Sequence, residues 1–206
     1  MGKLCWLHLL GVGLIVSGTS FGNAAAQLAA DEPARVAGRT LQGWADDLAS
    51  SDRTIRLRAV KSLGAFGAAA AEPLHDALAA DDAGVRYTAA VHLGRIAGEP
   101  LAVAVERLGT LRSDGAHPGV QMAAAFALFR ANQTADNLQL LTARLDYPER
   151  GMACSAADLL GMLGPAAEAA IPALEKTYAA HRPGGDGDYH IGGAAQNALR
   201  LIRDQP

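Results

Sequence analysis

The sequence predicts an all-α fold, an α-solenoid of about five helix pairs, on three observations. The first is one apolar pattern that recurs five times. Val85, Ala89 and Leu93 step by four, and the same step is made by Ile55, Ala59, Leu63; Val120, Ala124, Leu128; Met152, Ala156, Leu160; and Ile191, Ala195, Leu199. Residues four apart share one face of a helix. The second is the distance between copies, 30, 35, 32 and 39 residues, which suits a two-helix unit stacked on its neighbours. The third is composition: half the residues are apolar but only 5% are aromatic. Small apolar side chains favour helices and let them pack closely.

Residues 1–26 stand apart from this plan. Lys3 precedes a mostly apolar run over 4–16, interrupted by His8, then a small polar stretch and the triplet Ala24-Ala25-Ala26. This is the make-up of a signal peptide, with an uncleaved anchor as the alternative. The run falls short of the roughly 20 residues needed to span a bilayer. The mature chain is therefore expected to be exported, periplasmic or extracellular, with no membrane span. Cleavage would remove Cys5 and leave Cys154 as the single thiol, which excludes an intramolecular disulfide. Residues 27–39, with Asp31, Glu32, Pro33 and Gly38, show no sustained period and are expected to form a flexible leader.

The repeat domain is expected over 40–206. Thr40 suits an N-cap for a first helix carrying Leu41, Trp44, Ala45 and Leu48 on one face. Ser51-Asp52 breaks it and opens the second helix, with Ile55, Ala59, Leu63 and Phe66 inward. Pro73 and Pro100 open the A helices of repeats two and three, since proline fits a first helical turn. Leu138, Leu141 and Leu145 mark the fourth A helix, and Ile171, Leu174 and Tyr178 the fifth. From the last A-helix anchor to the B-helix marker is seven residues in repeats one, two and four, nine in repeat three (Leu111 to Val120) and thirteen in repeat five (Tyr178 to Ile191). The insertions thus fall in the A–B turns, where a stacked fold tolerates them.

Within the second copy, Asp82, Val85, Arg86, Ala89, Ala90, Leu93, Gly94 and Ile96 form a pattern that resembles HEAT repeats, most closely the short PBS-lyase-type class. Asp52, Ile55, Arg56, Ala59, Leu63, Gly64 and Phe66 nearly match it, as do the Pro-Leu helix entries at Pro73-Leu74 and Pro172-Ala173-Leu174. Later copies drift: Gln121, Ala153 and Gly192 replace the arginine, and Phe129 and Arg200 replace the glycine. The resemblance implies a solenoid and a binding scaffold. Some relatives of the class are chromophore lyases or hydroxylases, but paired His-Glu motifs of the hydroxylase kind are lacking, and an export signal argues against a cytosolic bilin lyase.

No constellation points to catalysis or to a cofactor. His75, His92 and His117 fall in different places, Ser155 and Cys154 have no adjacent base, and neither a nucleophile elbow nor a phosphate-cradling loop occurs. Asp186, Asp188 and His190 could in principle hold a metal, yet they lack a fourth ligand at a diagnostic spacing, and Asp188 is explained as a helix opener. Arg56 and Arg86 could clamp an anion, but pairing with acids such as Asp52 or Asp82 near the neighbouring turn is the simpler reading. A net charge of −3 without a lysine or arginine block leaves no nucleic-acid footprint.

A helix turns about 100° per residue, so positions two, three, six and ten after each marker point away from the buried stripe. In such folds the B helices line the concave side. Its candidate residues are Arg58 and Lys61 in repeat one, Tyr87, Val91 and Arg95 in repeat two, and Met122, Phe126 and Arg130 in repeat three. An apolar strip rimmed by cations suggests a groove for a protein or peptide. The competing expectation is that curvature presses neighbouring B helices together and buries the strip.

Overall fold

A computed structural model describes residues 34–204 apart from Asp114, Ala116, Pro183, Gly185 and Asp186. The expected signal peptide and most of the expected leader lie outside the described residues, as does Asp186. No helix among the described residues is long and apolar enough to cross a membrane.

The described chain opens with a hairpin rather than a loop. Strands β1 (Arg35–Val36) and β2 (Arg39–Thr40) pair antiparallel, Arg35 opposite Thr40 and Val36 opposite Arg39. Ala37 and Gly38 between them both have positive φ, as tight two-residue hairpin turns require. The Trp44 indole N–H donates to the Val36 carbonyl at 3.0 Å, and Arg39 lies over the Trp44 ring, 4.7 Å from its centroid, while pairing with Asp47. The stretch expected as a leader thus carries ordered structure at its C-terminal end. Strands of two residues are too short to show a period, so their signal is invisible to a periodicity reading.

Five helix pairs follow. The A helices are α1 (Leu41–Asp46), α3 (Ala71–Ala77), α5 (Gly98–Ser113), α7 (Ala135–Ala143) and α9 (Ile171–His181). The B helices are α2 (Arg53–Leu63), α4 (Ala83–Ile96), α6 (Pro118–Asn132), α8 (Arg150–Leu163) and α10 (Tyr189–Arg203). Asp52, Asp82 and Asp188 cap α2, α4 and α10 through their carboxylates, and the His117 ring takes that place for α6. The longest interval between paired helices precedes α10, where extra residues were expected. In repeat three the extra residues lengthen the A helix α5 to 16 residues instead of the turn before α6, because the apolar pattern marks helix anchors and not helix ends. The marker stripe is buried: Val85, Ala89 and Leu93 are at most 1% exposed, and Ala59, Leu63, Ala124, Ala156, Leu160 and Ala195 are fully enclosed. Ile55 and Met152, each in a first turn, are half-buried.

At the glycine nine residues after the marker, a neighbouring B helix approaches too closely for a side chain. A Cβ on Gly94 would stand 2.6 Å from Phe126 Cε1 and 3.0 Å from Ala127 Cα; one on Gly161 would stand 3.0 Å from Ala198 Cα. The His92 ring fills the corresponding space over Gly64. Arg200 occupies this position in α10, the last described B helix, which has no described successor to accommodate. The solenoid is therefore an all-α stack whose pitch is set partly by what is missing from three side chains.

Candidate partner-binding surface

At the A–B turns, the arginines do structural work. Arg56 donates to the carbonyls of Ser50 and Ser51 at 2.8 and 2.9 Å, and its guanidinium lies 3.6 Å from Asp82. Arg86 makes the equivalent pair of bonds to Ala80 and Asp81, at 2.6 and 2.9 Å. Its counterpart acid is absent because His117 stands in repeat three where Asp82 stands in repeat two. Asp82 also takes a 2.7 Å bond from Arg53. Burial pushes its carboxyl pKa up, but the Gly84 N–H and Arg53 outweigh that and hold it below the ordinary aspartate value.

The structure divides the residues expected on the concave face. Arg58, Lys61, Arg95 and Arg130 are exposed. Arg58 lies 6.0 Å from the Trp44 ring centroid, and Arg130 donates to the Gly94 carbonyl at 3.2 Å. Tyr87 and Val91 are half-buried. Met122 and Phe126, expected on an open strip, are 0% and 1% exposed and belong to the core. The cause is α6 itself, whose residues from Gly119 to Phe129 are all buried except Gln121. It is enclosed between α4 and α8, which close the strip at its middle. A helix apolar on every side is a buried helix. The uncharged run over 118–129 carried that signal in the sequence.

Next to the closed strip, a cleft of about 570 Å³ opens at the turn-side end of the B helices. Arg53, Tyr87, His117, Met122, Met152 and Ser155 line it, drawn from four successive repeats, together with the Asp82 cap. Of these, only Tyr87 and Met122 stood among the predicted residues. Arg53, His117 and Met152 belong to the first turns of their helices or just before, outside the face chosen by helical geometry. Burial raises the Tyr87 pKa, the Ser155 hydroxyl opposes and the Asp158 charge adds to it, so Tyr87 remains a neutral phenol. Burial, then the charges of Asp158 and Asp188, hold the Cys154 thiol pKa above its ordinary value against the opposing Arg150.

In the loop before α10, His181 Nδ1 accepts the Asp188 N–H at 2.9 Å, and Asp188 caps the helix and lies 3.6 Å from Arg150. Among the described residues, no three His, Cys, Asp or Glu side chains gather as a metal site would require. A wider cleft of about 900 Å³ lies between α3 and α5, lined by charges of both signs including Arg86, Glu106 and Arg107.

The helix pairs define an all-α solenoid. Residues 41–128 match the family model described as HEAT repeats, the part of the chain holding the first three B-helix stripes. No curated protein matches the chain. Among solved structures, an engineered protein is similar at 23% identity, with 80% of this chain and 79% of that one covered and a TM-score of 0.48. Human deoxyhypusine hydroxylase in complex with glycerol is similar at 25% identity, over 68% of this chain and 52% of its own, with a TM-score of 0.42. The complex of CpcE and CpcF of phycocyanin lyase from Nostoc sp. is similar at 18% identity, over 79% and 82%, with a TM-score of 0.42.

Proposed function

We propose that this chain is a non-catalytic, exported scaffold that holds another protein against the concave side of its B helices. One observation carries the reading. Arg58, Lys61, Arg95 and Arg130 lie on one face, exposed, and none is in an ion pair with a carboxylate among the described residues. Cations kept together without acidic partners are available to a ligand. The burial of Met122 and Phe126 narrows the surface to these cations and the half-buried Tyr87 and Val91, with the cleft toward the opposite, turn-side ends of the same helices. Placement outside the cytoplasm rests on residues 1–26 of the sequence.

A photocrosslinking amino acid placed at Lys61 or Arg95 should give a defined protein adduct in the producing cell. The same group at Val103, an exposed residue of α5 on the A-helix layer, should give none. Adducts at Val103 with none at the two concave positions would reverse the assignment of the binding face.

A further inference from the structure

We infer that the cleft at the first turns of the B helices binds a small organic acid, a single carboxylate carried on an aromatic body. This goes beyond the scaffold reading and uses none of the cations at the last turns of those helices.

The cleft offers donors and one unmatched positive charge. Asp82 is the one carboxylate among its lining residues, and the fold already occupies it. Oδ1 accepts the Gly84 and Val85 N–H groups at 2.8 and 3.4 Å, and Oδ2 takes the Arg53 Nε at 2.7 Å with the Arg56 guanidinium 3.6 Å away. Two guanidiniums on one carboxylate leave a net positive charge. The terminal nitrogens of Arg53 make no hydrogen bond among the described residues, and Nη2 rests on the first turn of α4, 3.4 Å from where a Gly84 Cβ would stand. The His117 Nδ1 accepts the Gly119 N–H at 3.1 Å, so the proton of the neutral ring sits on Nε2, which meets no acceptor among the described residues.

A ligand must therefore bring acceptors, and one carboxylate on Arg53 balances the charge. An ammonium group would find no free carboxylate, and a phosphate dianion would carry one charge too many. The first turns of α2, α4, α6 and α8 meet at the cleft, and their dipoles act in the same sense. The rest of the lining sets the body of the ligand. Met152, half-buried, has its methyl 3.6 Å from where a Gly119 Cβ would stand, and the enclosed Met122 also lines the cleft. Thioethers favour contact with aromatic rings. At about 570 Å³ the space is of the size that takes a small organic ligand.

The test is NMR of the full chain, isotope-labelled at its methionine methyls and titrated with naphthoate. Three further probes are its neutral analogue naphthylmethanol, the cation naphthylmethylamine and the ring-saturated acid. Naphthoate should shift the Met152 methyl saturably and leave Met162, in the last turn of the same helix, unmoved. The alcohol and the amine should bind at least about tenfold more weakly, the ratio expected for one charge-assisted hydrogen bond. The saturated acid should also bind more weakly than naphthoate. Arg53→Gln, with an unchanged circular-dichroism melt, should bring naphthoate down to the affinity of the alcohol, and Arg53→Lys should recover part of the loss. Arg107→Gln removes a cation on α5, outside the cleft, and should change nothing. Equal binding of the alcohol, the amine or the saturated acid overturns the inference on the native chain, without recourse to a variant. Movement of Met162 in place of Met152, unchanged affinity in Arg53→Gln, or no saturable shift up to about 10 mM also overturns it. A last arm is a short peptide ending in phenylalanine with a free carboxylate: if it binds at least about tenfold tighter than naphthoate while its amide form is inert, the cleft takes a chain end and the small acid is wrong.

Discussion

Asp82 concentrates the chemistry of one repeat in a side chain 8% exposed. It caps α4, and it ties α4 to α2 through Arg53 and Arg56, so a local stop signal and a contact between repeats share one carboxylate. The capping role was legible, because an acid three residues before an apolar stripe is a helix start. Its pairing with the arginines was legible in part, as an expected rim of Arg–Asp contacts; that Arg86 turns instead to backbone carbonyls was not, since a reading by repeats assumes each copy has its acid. Asp82→Ala should cost about 2 kcal/mol at neutral pH, from the lost cap and charged hydrogen bonds. Asp82→Asn keeps the cap and should cost about half of that. The folded-state pKa lies below the ordinary 3.8, so the carboxylate's contribution is complete above that value and is lost as pH falls through the lower folded one. Urea titrations across this range should show the gap between the native chain and Asp82→Ala closing on the acid side. A gap that stays constant down to the acid limit would show that the charge of Asp82 contributes nothing.

At the scale of elements, the helices declared themselves through their apolar steps, and what escaped was the fit between them. Helical geometry places position six of α6 away from its own stripe, yet cannot tell that Gly94 of α4 admits the Phe126 ring there. Two glycine substitutions separate the helix from its packing. Gly109 lies inside α5, and a Cβ there would meet nothing within 4 Å. Gly109→Ala should raise stability by about 0.5–1 kcal/mol through helix propensity alone. Gly94→Ala gains the same propensity, but its methyl group would press on a buried ring and on the Ala127 backbone, an overpacking that costs about 1–3 kcal/mol. It should therefore lower the melting temperature while Gly109→Ala raises it. If both substitutions move it upward, the close approach of α4 and α6 is not a constraint on the fold.

Across the whole molecule, α6 joins two cores. Its residues Val120, Ala123, Ala124, Ala127 and Leu128 complete the cluster that begins at Trp44, while Met122, Ala125, Phe126 and Phe129 begin the cluster that runs to Ile202. Val91 of α4 packs against both. In a solenoid each repeat packs mainly on its neighbours, so cooperation between the halves depends on interfaces such as this one. Phe126 is the largest fully buried side chain of that junction and reaches from the second cluster to α4. Phe126→Ala should cost about 3–5 kcal/mol, and the loss should not be shared evenly. The first cluster retains its own members of α6, whereas the second loses the ring that seats it on α4. Hydrogen exchange of the variant should therefore speed up in α7 to α10 at denaturant concentrations where α2 and α4 stay protected, and melting should broaden or split. A uniform rise in exchange from α1 to α10, with one sharp transition, would mean that the two clusters unfold as a single unit and that α6 is no joint.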